Sequence, residues 1–207
     1  MKNNTRFALY DIILIGVMAA VCFVTTMFLK FDIPTPTGPT MIKTANIFCL
    51  LSGMLLGGVK GGLAAGLGSF LYDLTNPAYV AESPITFINF FMMGLVCGLL
   101  FHLAEKSRTK TMFIVWSVVA ALGGQLVYFV LRFTKDIALM MIAGSTFEAA
   151  FAGNTLKMIS SLINMAISVP CAVLLAPVLI AALKKANVYQ KIHRAAPAAR
   201  LAESRPE

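Results

Sequence analysis

The chain has 207 residues, of which 58% are hydrophobic and 13% charged, and its formal net charge is +8. Soluble domains usually carry about 25% charged residues, so this composition excludes an ordinary soluble globule and predicts a protein embedded in the bilayer. Membrane orientation and attraction to anionic lipid headgroups explain the positive charge, and we expect no nucleic-acid partner.

Apolar stretches of about 20 residues, the length that a membrane-spanning helix needs, occur about six times along the chain. The first runs from about residue 10 to residue 31 and stops at "FDIPTPTGPT", whose prolines and glycine predict a loop. Its basic start "MKNNTR" leaves a cleaved signal peptide as an alternative, but the apolar stretch is longer than a signal core and shows no small-residue cleavage site.

The next stretch, residues 44–74, is apolar, yet seven of its 31 residues are glycine. It divides at "GGVKGG" into two short predicted spans, about 42–57 and 61–74, joined by a tight turn at Lys60. Small residues let membrane helices approach closely, so Gly53, Gly57, Gly62 and Gly66 predict close packing of this hairpin inside the bundle. A surface that slides against another membrane protein is the alternative reading of the same glycines.

Three further spans follow, at about residues 85–103, 111–131 and 155–183. The structure of residues 132–154 stays open at this point. The sequence thus predicts an all-α integral membrane protein, a bundle of about six transmembrane helices that forms one substrate-binding domain over residues 1–183. Residues 184–207 begin with "KKANVYQKIHR" and predict a basic, flexible cytoplasmic tail.

Lysine and arginine are distributed unevenly between the two sides of these spans. Twelve of the 17 lie on the side of both termini, and five lie on the other side. The positive-inside rule therefore predicts that both termini are cytoplasmic in a multi-pass protein of a bacterial-type plasma membrane. The five basic residues predicted outside are Lys30, Lys43, Arg132, Lys135 and Lys157.

The four cysteines and two histidines form no pattern of metal ligands. The cysteines lie far apart inside predicted spans, so we expect them to be small apolar core residues. The sequence predicts neither a metal nor a cofactor.

Polar residues inside the spans gather toward the outer half of the membrane. They are informative because a charged group inside the bilayer is costly. Helical spacing places Gln125, Tyr128 and Arg132 on one face of span five, and Lys157, Ser161 and Asn164 on one face of span six. Hydrogen bonds to the helix's own backbone, or basic side chains reaching toward the surface, would explain any one residue alone. Convergence from several helices predicts an outward-facing pocket for a small polar molecule, with aromatic walls from Phe87, Phe90 and Phe129. The candidate substrate-binding residues are Asn46, Asp73, Thr86, Asn89, Gln125, Tyr128, Arg132, Lys157 and Asn164.

The segment "FDIPTPTGPTMIKTANIFCLLSGMLLGGVKGGLAAGLGSFLYDL", followed by "SPITFINFFMMGLVCGLL", resembles the substrate-binding S components of energy-coupling factor (ECF) vitamin transporters, especially the riboflavin-type group. The shared features are the proline-containing outer loop, the glycine-rich hairpin with a basic turn, and the "GSxxxDL" end of span three. The resemblance implies a six-helix bundle that captures a vitamin or related heterocycle outside. It also implies partners: a membrane coupling protein, the T component, and two cytoplasmic ATPase subunits.

Two departures from that family pattern bear on function. Relatives dock to the coupling protein through an AxxxA pattern in span one, where this chain has Gly16 and Ala20. Many relatives carry a lysine early in span four, where this chain has Phe90 or its apolar neighbours. The resemblance therefore implies docking at Gly16 and Ala20 but does not name the ligand.

Other classes of function find less support in the sequence. The spans lack the paired aspartates, the GxSG serine with histidine, or the HExxH motif of intramembrane proteases, so we expect no enzymatic activity. A self-sufficient secondary transporter is the main alternative, although no internal repeat is evident. A membrane scaffold without a ligand is a further alternative, which ligand-dependent thermal stabilisation would exclude.

Overall fold

Six α-helices and one β-hairpin make up the computed structural model, which describes residues 9–33, 40–105 and 109–185. The helices are α1 (Leu9–Phe28), α2 (Ala45–Leu56), α3 (Gly58–Thr75), α4 (Ser83–Glu105), α5 (Lys110–Ile142) and α6 (Phe147–Lys185). Strands β1 (Lys30–Ile33) and β2 (Thr40–Lys43) connect α1 to α2, and a 3-10 turn (Val80–Glu82) precedes α4. The predicted all-helical membrane bundle is confirmed. The basic residues of the predicted tail beyond Lys185 lie outside the described residues.

The helices differ in how they fit a bilayer. Four regions, 10–28, 80–104, 111–142 and 147–185, are long and apolar enough to cross a membrane. By contrast α2 has 12 residues, about 18 Å of helix, which is shorter than the roughly 30 Å of hydrocarbon. Eleven of those residues are buried, and α2 packs against α1, α3, α4 and α6. The second predicted span is thus a short central helix that its neighbours enclose.

The connection between α1 and α2 differs from the predicted loop. Strands β1 and β2 pair antiparallel, with Lys30 opposite Lys43 and Ile33 opposite Thr40, while residues 34–39 lie outside the described residues. Prolines explain why a helix ends here, but they do not prevent the flanking residues from pairing as strands. The ladder satisfies backbone groups that would otherwise need partners at the membrane boundary.

The turn of the glycine-rich hairpin lies at Gly57 rather than at Lys60. Gly57 has a φ of +84°, in the left-handed region that glycine adopts without steric cost, and α3 begins at the next residue. Lys60 consequently lies in the first turn of α3. Its Nζ donates to the Asp11 carboxylate of α1 at 2.7 Å, which ties the two helices together at the cytoplasmic end.

The region 132–154, left open by the sequence, is mostly helical. Helix α5 continues to Ile142, well beyond the predicted end at Leu131, and α6 begins at Phe147 after a short turn. Charged residues such as those in "RFTKD" often mark the place where a helix leaves the membrane. Here Lys135 is paired within the fold, with Glu82 at 2.6 Å and with Asp136 at 2.9 Å. Internal pairing removes the need for the helix to end where charge first occurs.

Glycines allow the backbones of α2, α3, α4 and α5 to touch. A Cβ atom added at Gly62 of α3 would lie 2.6 Å from the carbonyl oxygen of Phe91 in α4. One added at Gly94 of α4 would lie 2.8 Å from Gly62 Cα, and one at Gly124 of α5 would lie 2.8 Å from the Met93 carbonyl oxygen. These separations are too short for any side chain, so the glycines build internal contacts of the bundle.

The core between these helices is filled by large apolar side chains and by cysteines. Leu50, Met54, Phe90, Met93 and Phe101 are almost fully buried. The buried thiols of Cys22 and Cys49 lie 3.6 Å apart, and neither forms a disulfide. Exposed apolar residues such as Ile12, Val17 and Leu174 cover the outside of the bundle, as a surface in contact with lipid requires.

Leucine at Gly62 should destabilise the whole bundle, because the side chain meets the backbone of α4 and the helices must separate. Overpacking of this kind typically costs about 1 to 3 kcal/mol or more. Thermal unfolding of the purified protein in detergent measures the effect as a lower Tm. Gly16→Leu is the matched control, since a Cβ at Gly16 has no atom within 4 Å; equal Tm values for the two variants would contradict the packing scheme.

Candidate functional site

A cavity lies at the outer end of the bundle, between α3, α4, α5, β2 and the 3-10 turn. It is small, about 30 Å³, which is room for about two water molecules. A heterocyclic ligand therefore enters only if the surrounding elements move apart. The lining residues are Met41, Lys43, Asp73, Tyr79, Glu82, Thr86, Asn89, Phe90, Tyr128, Arg132 and Lys135.

Strand β2 brings Met41 and Lys43 to this cavity, and α6 holds the strand in place. The Asn164 side chain accepts a hydrogen bond from the Lys43 backbone N–H at 2.9 Å and donates one to the Met41 carbonyl oxygen at 2.9 Å. The strand thus provides a hydrogen-bond partner for both the oxygen and the nitrogen of this buried amide. Residues two apart in a strand share a face, which is why Met41 and Lys43 line the cavity together.

Lys43 is 5% exposed, and its ammonium lies 4.2 Å from the centre of the Phe90 ring. Phe90 in turn packs against Tyr128, with ring centres 4.7 Å apart. Cation, phenyl ring and phenol ring therefore form one continuous wall contributed by β2, α4 and α5. Such a wall offers stacking surface next to a positive charge.

Arg132 connects α5 to the β-hairpin. Its guanidinium donates to the Tyr128 hydroxyl at 2.8 Å and to the Thr40 hydroxyl at 3.3 Å. Tyr128 and Arg132 are four residues apart on one helix face, so the sequence alone places them together. Both hydrogen-bond partners of the guanidinium are neutral.

Ion pairs surround the cavity on its α5 side. Lys135 is held by Glu82 and Asp136, and Asp136 also lies 3.8 Å from Lys157 of α6. Glu82 and Lys135 line the cavity, whereas Lys157 and Asp136 line a second, smaller cleft of about 10 Å³ between α5 and α6. The chain of charges fixes the 3-10 turn, α5 and α6 relative to one another.

Asp73 and Tyr79 complete the wall on the α3 side. Asp73 is 3% exposed and lies within electrostatic range of Lys43 and Arg132. The Tyr79 hydroxyl is buried and has no hydrogen-bond partner among the described residues. Burial raises the pKa of Tyr79 to about 12, so its hydroxyl remains a donor at neutral pH.

Five of the nine candidate binding residues meet at this cavity: Asp73, Thr86, Asn89, Tyr128 and Arg132. The other four do not line it. Asn164 forms hydrogen bonds with β2 instead, and Lys157 lines the second cleft. Asn46 and Gln125 are buried, each with one amide atom lacking a partner among the described residues.

The aromatic residues divide in a similar way. Phe90 lines the cavity as expected. Phe87 instead packs against Phe70 and Phe91, and Phe129 stacks on Phe133 beside the second cleft.

A family model described as "ECF-type riboflavin transporter, S component" matches residues 6–185 of the chain. The chain belongs to this family. The match spans all six helices and the hairpin, so the protein is a multi-pass membrane protein of the substrate-binding S component type. Comparison with individual curated proteins gives no match.

Within this S component, sequence reasoning missed five cavity residues: Met41, Lys43, Tyr79, Glu82 and Lys135. Lys135 follows Arg132 by three residues on the same helix face, so a longer span five would have predicted it. Met41 and Lys43 alternate as strand residues do, a signal hidden by the assignment of Ile42 and Lys43 to span two. Tyr79 and Glu82 lie in a connecting segment that carries no periodic pattern.

The two residues assigned to partner docking lie on the exposed surface of the bundle and not in a cavity. Gly16 and Ala20 are exposed on the outer face of α1, whereas Ala19 faces inward against Gly68 of α3. Their small size is therefore not required by packing within the S component. Docking at this face stays a prediction.

Replacing Asn164 by alanine should loosen β2 and weaken ligand binding without unfolding the bundle. The Lys43 N–H and the Met41 carbonyl would each lose a buried partner, which typically costs about 1 to 3 kcal/mol. Hydrogen exchange of the β2 amides and ligand-binding affinity are the two measurements. Ser160→Ala on the same helix is the control, because the Ser160 hydroxyl has no partner among the described residues. Unchanged exchange and unchanged affinity in Asn164→Ala would exclude this role.

Proposed function

We propose that this S component captures a vitamin or related small heterocycle outside the membrane with high affinity. A T component and two cytoplasmic ATPase subunits then drive uptake. The observation that carries the proposal is the outer cavity, to which α3, α4, α5 and β2 contribute polar and aromatic side chains in a chain of the S component family.

The chemistry of the cavity supports binding rather than catalysis. Phe90 and Tyr128 offer ring surfaces for a planar heterocycle, and Asn89, Thr86 and the nearby charges offer hydrogen bonds. Ligand pockets typically combine apolar walls with a few directed polar groups in this way. Riboflavin, which the family description names, is the first ligand to test.

In this proposal, partner proteins supply the ATP hydrolysis that drives uptake. The full sequence contains no GxxxxGK[ST] phosphate-binding loop, so the chain has no recognisable nucleotide site of its own. The exposed face of α1 around Gly16 and Ala20 supports docking of the T component, since small residues allow close approach of a partner helix.

Leucine at Gly16 or Ala20 should leave ligand binding by the isolated S component unchanged but abolish ATP-dependent uptake by the reconstituted complex. The added bulk projects away from the S component, so it obstructs a partner and not the fold. Co-purification with the T component and ATPases, together with uptake into liposomes, measures the effect. Ala166→Leu, at an exposed alanine of α6, is the control and should transport normally.

Two results would contradict parts of this proposal. Normal assembly and transport by the Gly16 and Ala20 variants would show that α1 is not the docking surface. Transport by the wild-type chain in liposomes without any partner would establish a secondary transporter instead.

A further inference from the structure

The Lys43 ammonium lies in the cavity, and no carboxylate of the described residues is within ion-pair distance of it. Lys43 is 5% exposed, and its Nζ has the Phe90 ring at 4.2 Å. Within residues 9–33, 40–105 and 109–185 no carboxylate oxygen lies within 4.0 Å of this nitrogen, and the structure gives it no hydrogen bond. An aromatic ring attracts a cation but accepts none of its three N–H hydrogen bonds in the way an oxygen does.

Other lysines near the ends of the bundle form ion pairs. Four of them have a carboxylate oxygen within 4.0 Å: Lys30, Lys60, Lys135 and Lys157. Burial of a cation without a paired anion is costly, which explains why these pairs form. Lys43 is more buried than its ladder partner Lys30, whose side chain is 18% exposed, yet Lys30 is the one that has an acid, Asp32.

Arg132 likewise has no carboxylate of the described residues within 4.0 Å, although Asp136 and Glu82 lie within electrostatic range. Its two hydrogen-bond partners are the hydroxyls of Tyr128 and Thr40, and a guanidinium has five N–H donors. Of the two acids that line the cavity, Glu82 is engaged by Lys135 at 2.6 Å. Asp73 acts on Lys43 and Arg132 through space but is not within 4.0 Å of either among the described residues. The cavity is thus lined by three cations, Lys43, Arg132 and Lys135, and by two carboxylates, Asp73 and Glu82.

Tyr79 adds a third donor to the same cavity. Its hydroxyl is buried and lacks a partner among the described residues. A phenol can accept as well as donate, but beside two cations its favoured partner is an acceptor with negative charge. Three groups from β2, α5 and the segment before α4 therefore present N–H or O–H donors to one small volume.

We infer that the ligand of this S component carries an anionic group, a carboxylate or a phosphate, which binds to Lys43 and Arg132 with the Tyr79 hydroxyl as a further donor. The inference rests on the proposed function, and it adds the chemical class of the ligand. The ring of the ligand then lies against Phe90 and Tyr128, next to the charge that holds its acidic group. A neutral heterocycle at the same place would bring no negative charge to a cavity that is lined by three cations and two carboxylates.

Matched pairs of probes test this charge preference. Riboflavin and flavin mononucleotide share a ring system but differ by a phosphate, and nicotinamide and nicotinate differ by a carboxylate. Purified wild-type S component should bind the anionic member of at least one pair about 10- to 100-fold more tightly than the neutral member, as expected for charge-assisted hydrogen bonds. The pair that responds also distinguishes a phosphate from a carboxylate.

Lys43→Met should abolish that preference while keeping the volume of the side chain, and Lys43→Arg should retain most of it. Lys30→Met is the matched control, because Lys30 lies opposite Lys43 in the hairpin but does not line the cavity. It should keep the wild-type preference. Equal or tighter binding of the neutral members by the wild-type protein would overturn the inference and leave the proposed function intact.

If no probe binds, mass spectrometry of small molecules that co-purify with the wild-type protein decides the question. A co-purified heterocycle with an ionised acidic group supports the inference, and one without such a group overturns it. A chain that binds no probe and co-purifies with no small molecule contradicts the proposed function itself, and the inference with it.

Discussion

Backbone contact between α3 and α4 determines how the other helices can be arranged. A side chain at Gly62 or Gly94 would approach backbone atoms of the facing helix to within 2.6 to 2.8 Å, so the two helices touch along a line where no bulk fits. Lipid provides no hydrophobic force between helices, and close van der Waals contact of this kind takes its place. The contact continues through Gly53, which brings α2 against α3 and α4, and through Gly124, which brings α5 against α4.

This close packing has a consequence at the outer end of the bundle. Because the helices are in contact, Asp73 at the end of α3 and Thr86 and Asn89 in the first turns of α4 face Arg132 of α5 across a small volume. The β-hairpin lies over that volume, held to α6 by the Asn164 amide and to α5 by Arg132. Rigid apolar packing in the membrane and a polar site at its surface are thus two parts of one arrangement.

Much of this architecture can be predicted from the sequence because membrane helices have a strong signal. The lengths of the apolar stretches predict the number of helices, and the glycines of residues 44–74 predict that this hairpin packs closely inside the bundle. Tyr128 and Arg132 could be placed toward the outside from helical spacing, and Asp73, Thr86 and Asn89 from their positions at the ends of predicted spans. All five line the cavity. Their roles in ligand binding stay predictions.

The features that sequence reasoning missed depend on pairing between distant residues. The predicted span five ends at Leu131, before the charged residues that follow, but Glu82 and Asp136 pair with Lys135 and allow α5 to continue to Ile142. Lys43 belongs to a strand whose partner lies beyond a proline-rich stretch, so its short local alternation is not enough to identify it. Asn164 contacts residues 41 and 43, more than 120 positions away, and only the fold shows that it supports the site rather than lines it.

An experimental structure of the wild-type protein with its co-purified ligand tests the central claim, that the outer cavity is the substrate site, most directly. We predict that the ligand lies between β2 and the outer ends of α3, α4 and α5, in contact with Phe90 and Tyr128, and that the cavity is larger than the 30 Å³ seen here. A ligand bound instead in the cleft between α5 and α6, or at the cytoplasmic end of the bundle, would contradict this account.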